Sequence, residues 1–142
     1  MSTQRLEGPG YTIDLEERAE YLRAFVRGSD DSLALSVAYW THLGAECIRR
    51  GTTAILVLED LPPFPDPAPE IFEAVTDAMA AAGFCGIRCA FVDLKEEVEA
   101  NEYGMIVGAD KGLTIMMFSN ESYADRWLRF GSPHPAPRRA PD

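Results

Sequence analysis

The feature that most limits the fold of this chain is a continuous apolar run at residues 53–58. A strand with one face in water alternates apolar and polar residues, whereas an unbroken apolar run is typical of a strand covered on both faces. Residues 87–92 and 113–118 predict two more strands, and a helical pattern precedes each of them. The sequence therefore predicts parallel strands joined by helices, as in an α/β domain.

The segment before these strands predicts a mixed edge to the sheet. Residues 11–15 alternate apolar and polar side chains, and a second run at 21–27 closes on Gly28, so two further strands are expected here. Glycine, proline and capping residues mark the ends of the helices. Four helices are predicted: from Ser29 to Gly51, from Pro67 or Pro69 to Gly83, over 94–108, and from Asn120 to Phe130.

The fold prediction is thus one α/β domain at residues 11–130, with a five-stranded, mostly parallel sheet and about four helices. Residues 1–10 contain a Gly-Pro-Gly stop, and residues 131–142 carry four prolines, so both ends are predicted to be flexible. The aromatic residues Trp40, Trp127 and Phe130 are expected in the core of the helical layers. Met116 and Met117 are expected to point to opposite faces of their strand.

Composition excludes several kinds of partner. The formal net charge is −10, which disfavours binding to nucleic acid or to an anionic membrane surface. No apolar run approaches the roughly 20 residues that span a bilayer, and the first residues lack the apolar stretch of a signal peptide. A cytoplasmic location is therefore expected, without nucleic-acid or membrane partners.

Candidate chemistry is sparse. Cys47, Cys85 and Cys89 lack the spacing of a zinc site, so we expect structural thiols, and we predict neither a metal nor another cofactor. His42 lies alone on the first predicted helix, where a structural role is the simpler interpretation. Nothing in the sequence indicates a nucleophile elbow or a catalytic triad, so no catalytic residue is assigned.

The junction at residues 59–70 is unusual because it contains five prolines where a buried strand leads into a helix. Loops at this edge of an open α/β sheet often hold the working residues. Here the polar residues are Glu59, Asp60, Asp66 and Glu70, with no serine, threonine, cysteine or histidine. Covalent or phosphate-handling chemistry is therefore not expected at this junction.

The order of these elements and their apolar signatures resemble the STAS-like group, named for sulfate transporters and anti-sigma-factor antagonists. The resemblance covers about residues 11–130, and a stand-alone bacterial branch that ends in a segment like Ala124–Leu128 is the closer match. It is carried by these segments: Phe25-Val-Arg-Gly28, Ala54-Ile-Leu-Val-Leu-Glu-Asp60, Ala82-Gly-Phe84, Arg88-Cys-Ala-Phe-Val-Asp93, Lys111-Gly-Leu-Thr-Ile-Met-Met-Phe118 and Ala124-Asp-Arg-Trp-Leu128.

The resemblance implies a regulatory, non-enzymatic domain that binds a protein partner. Regulatory members bind their partner around the strand and helix at this junction, and a phosphorylated serine there releases it. Pro67, Ala68 and Pro69 occupy that position, so the phosphorylation switch is not expected. The predicted contact residues are Asp60, Phe64, Asp66, Pro67 and Glu70. A homodimer is left open, since no motif decides it.

Two other functions are also left open. The fold group has relatives with pockets between sheet and helices, and the chain is rich in methionine and aromatic residues, so a small apolar ligand or a lipid is one alternative. Asp60 and Asp93 each follow a predicted strand, and two carboxylates at one sheet edge can bind a divalent cation. A metal-dependent phosphotransfer or hydrolase domain is therefore the other alternative.

Overall fold

The computed structural model describes residues 3–29, 32–62, 68–95 and 98–131, with the backbone alone at 98–101. Within these ranges the chain forms six strands and four α-helices, together with a short 3₁₀ turn at Phe84–Gly86. The strands are β1 (Thr3–Gly8), β2 (Tyr11–Glu17), β3 (Leu22–Gly28), β4 (Ala54–Asp60), β5 (Arg88–Asp93) and β6 (Thr114–Phe118). The helices are α1 (Leu33–Arg50), α2 (Pro69–Ala81), α3 (Val98–Asp110) and α4 (Glu121–Phe130).

All six strands join one mixed sheet in the order in which they occur along the chain. β1, β2 and β3 are antiparallel, whereas β3 to β6 are parallel. The predicted α/β class and mixed edge are confirmed. The prediction of five strands was wrong, because the described residues form six. The additional strand, β1, lies in the segment 1–10, for which the sequence predicted a flexible end; residues 132–142 lie outside the described residues.

The helices cover the two faces of the sheet unequally. One core cluster joins α1 and α2 to the face of the sheet that carries Ile55, Val57 and Phe91, and α3 packs beside them on β6. The other cluster joins α4 to the opposite face. Met117 packs against the first cluster and Met116 against the second, as the strand periodicity predicted.

Helix ends follow the local sequence. The Ser32 hydroxyl accepts a hydrogen bond from the Leu35 amide at 3.1 Å, and Gly51 ends α1 in the left-handed conformation with φ of 69°. Pro69 opens α2, and the Asn120 side chain caps α4. These residues fix the places where each helix meets the sheet edge.

Trp40 and Trp127 are core residues, as expected, but the prediction for Phe130 was wrong. Trp40 belongs to the first cluster and Trp127 to the second, whereas Phe130 is 70% exposed at the end of α4. Ala124, Trp127 and Leu128 form the buried face of α4, and Phe130, about 200° around the helix from Leu128, lies outside that face. Within the described ranges, no helix has the length and apolarity to cross a membrane.

The hydroxyl of Tyr21 anchors α4 to the sheet, and its ionisation at alkaline pH is expected to lower the stability of the fold. This hydroxyl donates to Asp125 Oδ1 at 2.6 Å, and burial together with that hydrogen bond raises the pKa of Tyr21 to about 12. The pKa of Tyr21 in the folded protein exceeds the unfolded value of about 10. The protonated hydroxyl therefore makes its full contribution to the free energy of unfolding below pH ~10, and this contribution is lost as pH rises toward 12.

We therefore expect the free energy of unfolding to fall between pH 10 and 12. Denaturant unfolding across this range measures the slope, and Tyr21→Phe should reduce it. An unchanged slope in Tyr21→Phe would mean that Tyr21 is not the titrating group.

Candidate functional site

A small cavity lies between the sheet and the helices α1, α2 and α3. Its volume is about 80 Å³, several times the ~10–15 Å³ that one water molecule requires. Most of its lining is apolar, and Glu59, Ser36 and Thr76 are the polar residues among the described residues that line it. The described residues that line it are Ser36, Trp40, Glu59, Phe72, Val75, Thr76, Met79, Phe91, Gly104, Ile115 and Met117.

Strand periodicity places Glu59 on the cavity side of the sheet. Ile55 and Val57 belong to the cluster beneath α1 and α2, and Glu59 continues the same face two residues further along β4. The hydroxyl of Tyr39, a fully buried residue of α1, donates a hydrogen bond to Glu59 Oε2. A carboxyl group is thereby held at one end of an apolar cavity, with a fixed orientation.

The other polar groups of the cavity are hydroxyls on helices. Thr76 is buried, and its hydroxyl donates within α2 to the Phe72 carbonyl at 2.7 Å. Ser36 is buried on the first turns of α1. Glu59 is thus the one residue with an ionisable side chain among the described residues that line the cavity.

A second, wider cleft of about 640 Å³ lies at the carboxyl edge of the parallel strands. Asp60 lines it beside Arg27 and Lys95, and these charges have partners within the molecule. Lys95 Nζ lies 3.0 Å from Asp60 Oδ1, and Arg27 Nη2 lies 3.0 Å from Asp14 Oδ2. Three of the charged residues that line the cleft, Asp60, Arg27 and Lys95, are therefore paired within the molecule.

The strand order places no switch point at this edge among the described strands. A binding crevice forms at the edge of an open α/β sheet where the strand order reverses and successive helices move to opposite faces. Strands β3 to β6 run in chain order without a reversal among the described strands, so α1, α2 and α3 lie side by side on one face. The interlayer cavity lies instead between the sheet and these three helices, and it is partly open to solvent.

The register of the sheet separates the two aspartates that the sequence grouped together. Asp93 pairs with Glu59, not with Asp60, and neighbouring residues of a strand point to opposite faces. Asp93 Oδ1 accepts a hydrogen bond from the Lys95 amide at 2.9 Å, as in an aspartate-initiated turn. In the part of the chain that the structure describes, no three His, Cys, Asp or Glu side chains are grouped to hold a metal ion.

The predicted contact surface is described only in part. Asp60 ends β4, and Glu70 is an exposed residue in the first turn of α2. Phe64, Asp66 and Pro67 lie outside the described residues. The structure therefore places the two ends of this surface on either side of the junction.

His42, Cys47 and Cys89 have structural surroundings, whereas Cys85 lies at the surface. His42 Nδ1 lies 2.9 Å from the hydroxyl of Tyr11, a buried residue of β2, and this contact ties α1 to the sheet. Cys47 and Cys89 are free and buried, and burial raises the pKa of both thiols. Cys85 is free and exposed. The raised pKa values disfavour the reactive thiolate form at Cys47 and Cys89.

Comparison with known proteins adds no assignment: no protein-family model matches this chain, and no curated protein matches it.

Sequence reasoning named Glu59 as one of the polar residues of the junction but gave it no role. The signal that could have identified it is the two-residue period from Ile55 through Val57 to Glu59. That period predicts that Glu59, and not Asp60, faces the same helical layer as Ile55. The cavity itself depends on how three helices pack against the sheet. The two-residue period of one strand gives no information about that packing.

Proposed function

We propose that this domain binds a small, mostly apolar molecule in the cavity between β4–β6 and the helices α1, α2 and α3. The observation that carries the proposal is the combination of an apolar lining with one carboxyl group held at a defined position by Tyr39. Ligand sites commonly have this composition, with predominantly apolar walls and a few fixed polar groups that orient the ligand. The role is one of binding, without an assigned catalytic residue.

The cavity supports this function better than the cleft at the sheet edge. The Asp60–Lys95 and Arg27–Asp14 pairs would have to be separated or rearranged before either charge could bind a ligand directly. In the cavity, by contrast, a ligand would remove apolar surface from water. Each Å² of apolar surface so buried contributes about 25 cal/mol of favourable free energy.

Filling the cavity tests this function. Val75 lines the cavity on α2, and Val75→Phe adds a ring where the ligand would lie. We expect this substitution to weaken the binding of benzyl alcohol, used as a neutral probe, by about tenfold or more, the loss that corresponds to ~1.4 kcal/mol. Ligand-observed NMR titration measures the dissociation constant.

Ala81→Phe is the matched control, since Ala81 is exposed near the end of the same helix. The substitution adds a ring to α2 that does not enter the cavity. This variant should therefore bind benzyl alcohol with the same dissociation constant as the unchanged protein. Equal weakening by both substitutions, or no binding of the probe to the unchanged protein, would contradict the proposed function.

A second candidate function is contact with another protein chain through the outer surface of α2 and α3. Tyr103 and Ile106 on α3 are 40% and 61% exposed, and the Tyr103 ring packs edge-on against Phe72 of α2 at 5.7 Å between centroids. This surface includes the helix that the resemblance to anti-sigma-factor antagonists implicates.

Sedimentation velocity over a concentration series tests a second copy of this chain as the partner, and Ile106→Lys should then abolish dimer formation. A monomer at every concentration would exclude self-association.

A further inference from the structure

We infer that the ligand of the interlayer cavity carries an ammonium group, which lies beside Glu59 while the rest of the molecule contacts the apolar wall. This inference rests on the proposed function and names the chemical class of its ligand. It follows from the charges and the aromatic residues around the cavity.

The acceptor is already oriented. Glu59 receives the Tyr39 hydroxyl at Oε2, and a carboxylate can accept about four hydrogen bonds in all. Tyr39 is fully buried and its ring lies 4.9 Å from that of Trp40 between centroids, so the donor has little freedom to move. A ligand donor would therefore meet a carboxyl group that needs little reorganisation.

The charges near this carboxyl group favour a cation. Asp93 pairs in register with Glu59 on the neighbouring strand, which brings a second carboxylate to the same end of the sheet. Among the described residues that line the cavity, none is lysine or arginine. Lys95 contacts Asp60 through its Nζ. An anionic ligand would thus enter beside two carboxyl groups and would find no cation in the described lining.

The apolar walls also suit an organic ammonium ion. Trp40, Phe72 and Phe91 all line the cavity, and the Trp40 and Phe91 rings lie 6.0 Å apart between centroids. Aromatic rings attract ammonium groups through their quadrupole as well as covering apolar carbon atoms. An amine attached to a ring or a short alkyl chain would use both kinds of contact, whereas an inorganic cation has no carbon atoms to place against the apolar wall.

Three probes that share one ring separate the charge from the apolar body. Benzylamine, benzyl alcohol and benzoate are titrated separately into the unchanged protein, Glu59→Gln and Glu70→Gln, with dissociation constants from NMR at fixed ionic strength. We expect benzylamine to bind the unchanged protein at least tenfold more tightly than benzoate, and Glu59→Gln to weaken benzylamine by about 10- to 100-fold, the range of a charge-assisted hydrogen bond.

Glu70→Gln is the matched control, because it removes one negative charge from an exposed position on α2. It should leave the benzylamine dissociation constant within about threefold, since the interactions of solvent-exposed charges are weak in water and are screened by salt. Benzyl alcohol should bind Glu59→Gln within threefold of the unchanged protein, which also verifies that this variant retains the folded cavity.

The outcomes distinguish this inference from the function on which it rests. If benzyl alcohol binds but benzylamine has no advantage over benzoate in the unchanged protein, the ammonium inference is overturned and the binding function stands. Equal loss of benzylamine in Glu59→Gln and Glu70→Gln would overturn it as well, because overall charge would then explain the preference. If none of the three probes binds the unchanged protein, both the inference and the proposed function fail.

Discussion

Trp127→Ala is expected to lower the free energy of unfolding by about 3–5 kcal/mol, the usual cost of truncating a large buried aromatic residue. Trp127 lies on α4 and is 9% exposed, and α4 supplies Ala124, Trp127 and Leu128 to the second core cluster. Its ring packs on Phe118 at 5.7 Å between centroids, and the Arg88 guanidinium lies 5.1 Å from the ring. Alanine would leave a cavity beneath the helix and remove both ring contacts.

Arg88 increases the effect because its side chain is tied to the same helix. Arg88 Nη2 donates to the carbonyl of Leu128 at 2.8 Å, near the end of α4. Loss of the Trp127 ring would loosen the last turn and weaken this bond. Chemical denaturation followed by circular dichroism measures the change.

Phe130→Ala provides the control, because it truncates another aromatic residue of α4 that is 70% exposed. Its effect should stay within about 1 kcal/mol, since the ring contact that it removes is an exposed one, with the Arg129 guanidinium 5.1 Å from the ring centroid. Similar losses for the two variants would mean that the packing assigned to α4 is wrong.

Gly44→Ala is the second large effect that we expect, with a loss of about 2 kcal/mol in the free energy of unfolding. Gly44 lies where α1 crosses the end of α2, and a Cβ atom there would meet the Ala82 carbonyl oxygen at 2.5 Å and the Ala82 Cβ at 2.6 Å. Because one contact is with backbone, the helices must separate to relieve it. A contact with backbone puts the overpacking cost at the upper end of its usual range, about 3 kcal/mol, and subtracting the ~1 kcal/mol that alanine gains in helix propensity leaves a net loss of about 2 kcal/mol.

Gly86→Ala is the matched substitution without such a contact. A Cβ atom at Gly86 would meet no atom within 4 Å, so its stability should change by no more than about 0.5 kcal/mol. Thermal and chemical denaturation of the two variants give the comparison. A Gly44→Ala protein as stable as the unchanged protein would show that the α1–α2 crossing is not as close as described.

The strands and helices that the sequence predicted are those with an apolar pattern of their own. The run at 53–58 gave β4, because a strand covered on both faces needs no polar residue until its end. β1 escaped prediction because its side chains are largely exposed and mostly polar. It is held by pairing with β2 and by the Arg5 Nε–Asp14 Oδ1 ion pair at 2.7 Å, neither of which leaves an apolar signal.

The candidate site was less accessible to sequence reasoning than the fold. Asp60 and Asp93 both follow strands, but the parallel register pairs Asp93 with Glu59, and a shift of one residue changes which face a side chain occupies. The cavity also depends on the spacing of α2 and α3, where Gly104 on α3 comes close to Phe72. Contacts between residues so far apart in the chain cannot be read from local periodicity.

The methionine methyl groups give the most direct test of ligand binding in the cavity, without any substitution. Met79 and Met117 line the cavity, whereas Met116 packs against the core on the opposite face of the sheet. In a protein labelled with ¹³C at methionine methyl groups, saturating benzyl alcohol is predicted to shift the Met79 and Met117 signals and to leave Met116 in place. Equal shifts at Met116, or no shift at Met79 and Met117, would contradict the claim that this cavity is the ligand site.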